Sequence, residues 1–142
     1  MYIAVINGPN MNMLGIRQPE IYGHTSYEDL KAMIQKEADS LGVRVSFAQS
    51  NHEGALVDDI QQCYFNKADG IIINPGAYTH TSIAILDAVK AVGIPTVEVH
   101  ISDPDSRDDF RHTSYIRAAC AATIRGHGLP GYLEALHFLC GK

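Results

Sequence analysis

The stretch Gly70-Ile71-Ile72-Ile73-Asn74-Pro75-Gly76 decides the fold. Three consecutive isoleucines sit between a glycine and an Asn-Pro-Gly turn. The run is too short for a helix and lacks the alternation of a half-wet strand. A β-branched run apolar on both faces fits a parallel strand covered on both sides. Working outward, residues 55–68 read as a helix with Leu56, Ile60, Cys63 and Tyr64 turned inward. Residues 75–81 are loop and 82–92 a further helix. Beyond these lie short β-branched strands at 43–47 and 95–99. An apolar strand at 2–6 stops at Asn7-Gly8-Pro9. Thr25-Ser26-Tyr27-Glu28 has the spacing of a capping box, and Leu30, Met33, Ile34, Ala38 and Leu41 continue at helical intervals to Gly42. Residues 100–112 read as a polar loop or broken helix, 121–125 as a fifth strand, and 131–139 as a terminal helix. Strand and helix alternate without a linker, repeat or composition break. The expected architecture is one domain over residues 1–142, α/β, with a doubly wound five-stranded parallel sheet.

The counts agree. The chain has 142 residues, of which 46% are hydrophobic and 19% charged, which fits a globular protein with a real core. Sixteen acids against eleven bases leave a net charge of -5. The bases form no run, which speaks against nucleic-acid binding. No apolar stretch approaches a membrane span. The N-terminus lacks a basic region and reaches Asn7 and Pro9 too early for a signal peptide, so a cytoplasmic protein is expected. Cys63, Cys120 and Cys140 are odd in number and widely spaced, as reduced thiols would be.

In sheets of this kind, ligands bind beyond the carboxyl ends of the strands. Those loops hold Asn7, Asn10, Asn12, Arg17, Tyr22 and His24 after the first strand. Gln49, Ser50, Asn51, His52 and Glu53 follow the second. Asn74, Tyr78, Thr79, His80 and Thr81 follow the third. His100, Ser102, Arg107, Arg111 and His112 follow the fourth. The opposite ends are plain turns. Wet loops alone do not explain why four loops at one end collect Asn, His, Arg and Tyr. A small-molecule site is expected there.

Several motifs are excluded by context. Gly126-His127-Gly128-Leu129-Pro130-Gly131 has dinucleotide-loop spacing, but too little chain follows it for a second strand and a ribose-binding acid. Gly8 to Gly15 lacks the lysine of a phosphate loop, and no nucleophile elbow is present. Glu98 and His100 share one face of a strand. With His80 they suggest a metal site, yet carboxylate orientation of an imidazole explains the pair without one. All five lysines fall on predicted helices, helix ends or the C-terminus, which disfavours Schiff-base chemistry. Acid–base chemistry by Tyr, His and Arg remains.

Four motifs carry a resemblance. The first is Asn7-Gly8-Pro9-Asn10 with Asn12, Leu14-Gly15, Arg17, Pro19 and Tyr22-Gly23. The second is Gln49-Ser50-Asn51-His52-Glu53-Gly54. The third runs from Ile73 through Asn74-Pro75-Gly76-Ala77-Tyr78-Thr79-His80-Thr81 to Ser82. The fourth is Glu98-Val99-His100-Ile101-Ser102 with Phe110-Arg111-His112 and Ser114. The chain resembles type II 3-dehydroquinate dehydratases over essentially its whole length. The resemblance implies a flavodoxin-like fold, and a homo-oligomer, a dodecamer of four trimers. It also implies loss of water from 3-dehydroquinate by anti elimination through an enolate, with no cofactor and no metal. By motif position, Tyr22 is the base, His100 the acid, and Asn10 holds a water at the enolate oxygen. Arg17 stands near Tyr22, and Glu98 orients or stabilises the His100 ring. The Ile101 and Ser102 N–H groups take the carboxylate. Asn74, His80 and Arg111 bind hydroxyls, and Asp87 contributes across a subunit boundary.

The physics is compatible. A tyrosine titrates near 10, and lowering that by roughly three units needs about 4 kcal/mol. One cation at ~4 Å in an effective dielectric of ~20 supplies about that much, and Arg17 is permanently charged. The loop of residues 11–24, with Gly15 and Gly23 near its ends, reads as a lid. Asp103 departs from the family's usual asparagine, setting a negative charge beside the expected carboxylate-binding amides unless Arg107 offsets it. The competing readings are a flavodoxin-like binding or signalling module and a metal-dependent hydrolase.

Overall fold

The computed structural model describes residues 1–16, 25–103 and 109–141, without the side chain of His112. Its strands are β1 (Tyr2–Asn7), β2 (Arg44–Gln49), β3 (Gly70–Asn74), β4 (Thr96–His100) and β5 (Ala122–Arg125). Its helices are α1 (Tyr27–Leu41), α2 (Glu53–Phe65), α3 (Ile83–Val92) and α4 (Pro130–Cys140). All strand pairings are parallel, in the order β2-β1-β3-β4-β5. This is the expected flavodoxin-like α/β fold. Among the described residues no helix is long and apolar enough to cross a membrane.

The isoleucine run behaves as its chemistry requires. Ile72 enters one core with Ile3, Val5 and Val97, covered by Leu30 and Ile34 of α1 and Leu136 of α4. Ile71 and Ile73 enter the other with Ala4 and Ile6, covered by Leu56 and Ile60 of α2 and Ile85 and Val89 of α3. Alternate side chains of one strand therefore feed two separate cores.

Two details differ from expectation. The capping box is Ser26 with Asp29, one residue later than Thr25 and Glu28. Both pairs have the right spacing, and Ser26, in the extended conformation a cap needs, makes the two reciprocal bonds with Asp29. Tyr64 is 61% exposed rather than inward. The buried stripe of α2 is Leu56, Ile60 and Cys63, and the next position rotates Tyr64 outward beside Phe65.

Register sets the floor of the site. Asn7 pairs with Gln49 on one side and Asn74 on the other, so three amides end three strands in one row. Gly8 then passes close to β3. Its N–H donates to the Asn74 carbonyl at 2.7 Å, and a Cβ there would lie 2.5 Å from the Pro75 carbonyl oxygen. Only glycine fits. Beneath this row lies Tyr132 of α4, fully buried. Its hydroxyl donates to Asn7 Oδ1 at 2.6 Å and accepts from Asn74 Nδ2 at 3.0 Å. Tyr132→Phe keeps the ring but strands two buried amides. It is expected to cost about 1–3 kcal/mol of stability, read as a lower urea midpoint at unchanged slope.

Candidate active site

The last residues of β4 bring a carboxylate and an imidazole together. Glu98 is fully buried and His100 is 7% exposed. His100 Nε2 lies 2.5 Å from Glu98 Oε2. An ionised carboxylate only accepts, so Nε2 carries the proton and Nδ1 is left for chemistry. Burial pushes the Glu98 carboxyl up, but hydrogen bonds from His100, Thr79 and Ser114 and the His100 charge outweigh it, holding Glu98 below its ordinary range.

The loop after β3 supplies most of the other partners. Thr79 Oγ1 donates to Glu98 Oε2 at 2.5 Å and lies 2.6 Å from Ser114 Oγ. Next to it, His80 Nδ1 donates to the Thr113 carbonyl at 2.6 Å. Burial is the main cause lowering the His80 pKa. The Thr113 carbonyl opposes it, and the charges of His100 and Arg111 add to it. His80 is therefore neutral near pH 7, with Nε2 as an acceptor for a hydroxyl. Asn74 accepts from the Gly76 N–H at 3.1 Å and donates to Tyr132. Its remaining amide hydrogen points at Met11 Sδ, 3.4 Å away, a weak partner that a ligand oxygen can replace.

Asn51 ties three loops together. Its Oδ1 accepts from the Asn10 N–H at 3.0 Å, and its carbonyl accepts from the Tyr78 hydroxyl at 3.0 Å. Gln49 Nε2 lies 3.2 Å from the Gly8 carbonyl and 3.3 Å from Asn12 Oδ1. Asn10 itself is exposed and held at φ 71°, a left-handed conformation that asparagine tolerates.

Past His100 the chain turns over the end of the sheet. Ile101 is buried and Ser102 half-buried. Their N–H groups make no hydrogen bond to any described residue, leaving two adjacent donors. The Gly126 and Gly128 N–H groups hold this turn by the His100 and Ile101 carbonyls, at 3.2 and 2.9 Å. Asp103 is met by Arg125 of β5, Nε to Oδ1 at 3.9 Å. One countercharge for Asp103 thus comes from the next strand, and the expected Arg107 lies outside the described residues. Arg111 is half-buried, its guanidinium 5.0 Å from the Phe110 ring centre.

The structure thus bonds Glu98 to His100 and sets His80 within reach of their charges, while Asn74 ends β3 in a separate network with Tyr132, and Asn10, Ile101, Ser102 and Arg111 lie on turns that follow β1 and β4. Asp87 stands exposed on α3, outside this hydrogen-bonded cluster. Arg17, Tyr22 and the expected lid lie outside the described residues. Sequence reasoning gave no role to Tyr132, Thr79, Ser114, Asn51 or Arg125. Thr79, Ser114 and Asn51 stand in the quoted motifs, whereas Tyr132 read only as helix and Arg125 only as strand.

A parallel doubly wound sheet with an acid–base cluster at its carboxyl edge defines an α/β enzyme acting on a small molecule. The class II dehydroquinase family model matches residues 1–140. The 3-dehydroquinate dehydratase of Caldicellulosiruptor bescii is 56% identical over 137 residues, 96% of this chain and 94% of that one. A Clostridium perfringens 3-dehydroquinate dehydratase is 52% identical over 142 residues, 100% and 99%. The crystal structure of type II dehydroquinase from Butyrivibrio crossotus superimposes with a TM-score of 0.97 at 52% identity, covering 98% of this chain and 97% of that one. The chain belongs to the class II dehydroquinase family and is an enzyme of that class.

Glu98 makes an acid limb in stability. Its folded pKa lies below its unfolded value, so its contribution is present above about pH 4.3 and is lost as pH falls through the folded value. Urea midpoints from pH 7 down to pH 3 are expected to fall less steeply in Glu98→Gln than in the parent. Parallel curves would show that Glu98 is not the group responsible.

Proposed function

We propose that the protein removes water from 3-dehydroquinate to give 3-dehydroshikimate, a step of the shikimate pathway. The Tyr22 phenolate takes the proton on the carbon beside the ketone. The electron pair moves onto the ketone oxygen as an enolate, with a water held by Asn10 beside it. The enolate then reforms the carbonyl as the C–O bond at the β carbon breaks. The hydroxyl leaves as water with the proton from His100. Arg17 lowers the proton affinity of Tyr22. The amides of Ile101 and Ser102 take the substrate carboxylate, and Asn74, His80 and Arg111 take its hydroxyls.

The observation that carries this reading is the buried Glu98–His100 pair in a chain matched from residue 1 to 140 by a dehydroquinase family. A carboxylate on Nε2 favours an imidazolium whose Nδ1 proton can be given away. Self-association belongs to the reading. Exposed Tyr64 and Phe65, and Asp87 outside the cluster, suit an assembly that covers apolar surface and completes the site from a neighbouring copy. A dodecamer acting in the cytoplasm is the form proposed.

Mixing the purified protein with 3-dehydroquinate is expected to raise enone absorbance. Borohydride added with substrate is expected not to inactivate it. Absent absorbance, or borohydride inactivation, would overturn the reading. Tyr22→Phe is expected to bind a substrate analogue normally and to lose about a hundredfold or more in kcat, the scale of a general base. His100→Ala is expected to lower kcat more than affinity; a pure loss of affinity would remove it as the acid.

A further inference from the structure

Glu98 poses a problem that the acid–base pair does not solve by itself. A fully buried carboxylate facing an imidazolium has two protonation arrangements. One is the ion pair. In the other the proton has moved from Nε2 to the carboxylate, leaving two neutral groups. An apolar surrounding favours the neutral pair, because it penalises both charges. An acid catalyst needs the ion pair. What tips the balance is the number of donors on the carboxylate.

Two hydroxyls supply them. Thr79 is fully buried, and its hydroxyl lies 2.5 Å from Glu98 Oε2. Ser114 Oγ lies 3.0 Å from Oε2 and 3.2 Å from Oε1. The hydroxyls also touch each other at 2.6 Å. They come from separate segments that are latched by main chain: the Tyr115 N–H donates to the Thr79 carbonyl at 2.9 Å. The His80 ring holds the Thr113 carbonyl in the same latch. Ser114 is fixed in turn by the Arg117 N–H at 3.2 Å. Neither hydroxyl belongs to a group assigned to substrate.

We infer that Thr79 and Ser114 are positioning residues that keep Glu98 anionic and aimed at His100 Nε2, so that His100 works as a cation with its transferable proton on Nδ1. The latch places this hydroxyl pair between the segment carrying His80 and the one carrying Arg111. The hydroxyl-binding side of the site and its acid thus share one support.

The inference rests on the dehydration reading, and a double-mutant cycle tests it in the same enone assay. Thr79→Val removes the hydroxyl and keeps the shape. In the parent background it is expected to lower kcat by about tenfold, a 1.4 kcal/mol change, with KM within about twofold. Thr79→Ser is expected to restore most of the loss. In a Glu98→Gln background, Thr79→Val is expected to change kcat by less than about twofold, because the group it acts through is gone. Ser114→Ala, expected to follow the same pattern, carries the test should Thr79→Val fail to fold. Equal fold-losses in both backgrounds, or parent-like kcat in Thr79→Val, would overturn the inference. An inactive parent would overturn the dehydration reading instead.

Discussion

A buried carboxylate at the end of an interior strand is the constraint on which the site depends. Removing a charge from water is costly unless it is paired and fully hydrogen-bonded. β4 runs between β3 and β5, so no solvent reaches Glu98. Its partners must come from the protein, and they come from three places: His100 two residues on, Thr79 after β3, and Ser114 before β5. Two of these partners anchor loops that carry other candidate site residues. Thr79 brings His80 with it, and Ser114 brings the segment that follows Arg111. The charge organises the loops, and the loops in turn keep it charged.

The scaffold supports this at its other polar row. Asn7 and Asn74 end neighbouring strands in register, and Tyr132 reaches up from α4 to bridge them. Burial of the phenol is the main cause raising its pKa, far above physiological pH, so it acts as a neutral donor and acceptor. The close pass of Gly8 against Pro75 locks the same two strands beyond their last ladder pair. The orientation of the buried Asn74 side chain is therefore set by a helix from the far end of the chain.

The architecture was legible in sequence for a simple reason. Strands apolar on both faces and helices with a single apolar stripe are local patterns, and Ile71 to Ile73 and Leu56 to Cys63 display them. The location of the candidate site was legible too, because the carboxyl ends of the strands collect a different chemistry from the amino ends. The networks were not. Thr79, Glu98 and Ser114 are sixteen to thirty-five positions apart. No periodicity marks residues that converge only after β3, β4 and the turn before β5 have packed. Tyr132 hid for a related reason: within an apolar helix its ring accounts for its burial, and nothing local reveals where its hydroxyl must go. The capping box slipped because two overlapping pairs satisfy one spacing rule, and only the hydrogen bonds of the folded helix start single out Ser26 with Asp29.

Charge placement shows why composition alone misleads. The net charge of -5 speaks against an anionic ligand only if charge is spread evenly. It is not. The turn that follows His100 offers two adjacent backbone donors, and they are dipoles, invisible to any count of side-chain charge. Asp103 stands right after them and would repel an anion if left alone. Arg125 comes up beneath it from β5, on the strand that lines the same edge of the sheet. Both groups are partly wet, so the pair adds little to stability. Its effect falls on the local field instead. A cation 3.9 Å from Asp103 weakens the negative field beside the Ile101 and Ser102 amides. Asp103 and Arg125 therefore act as a unit: the acid is tolerable at this turn because a neighbouring strand brings its counterion.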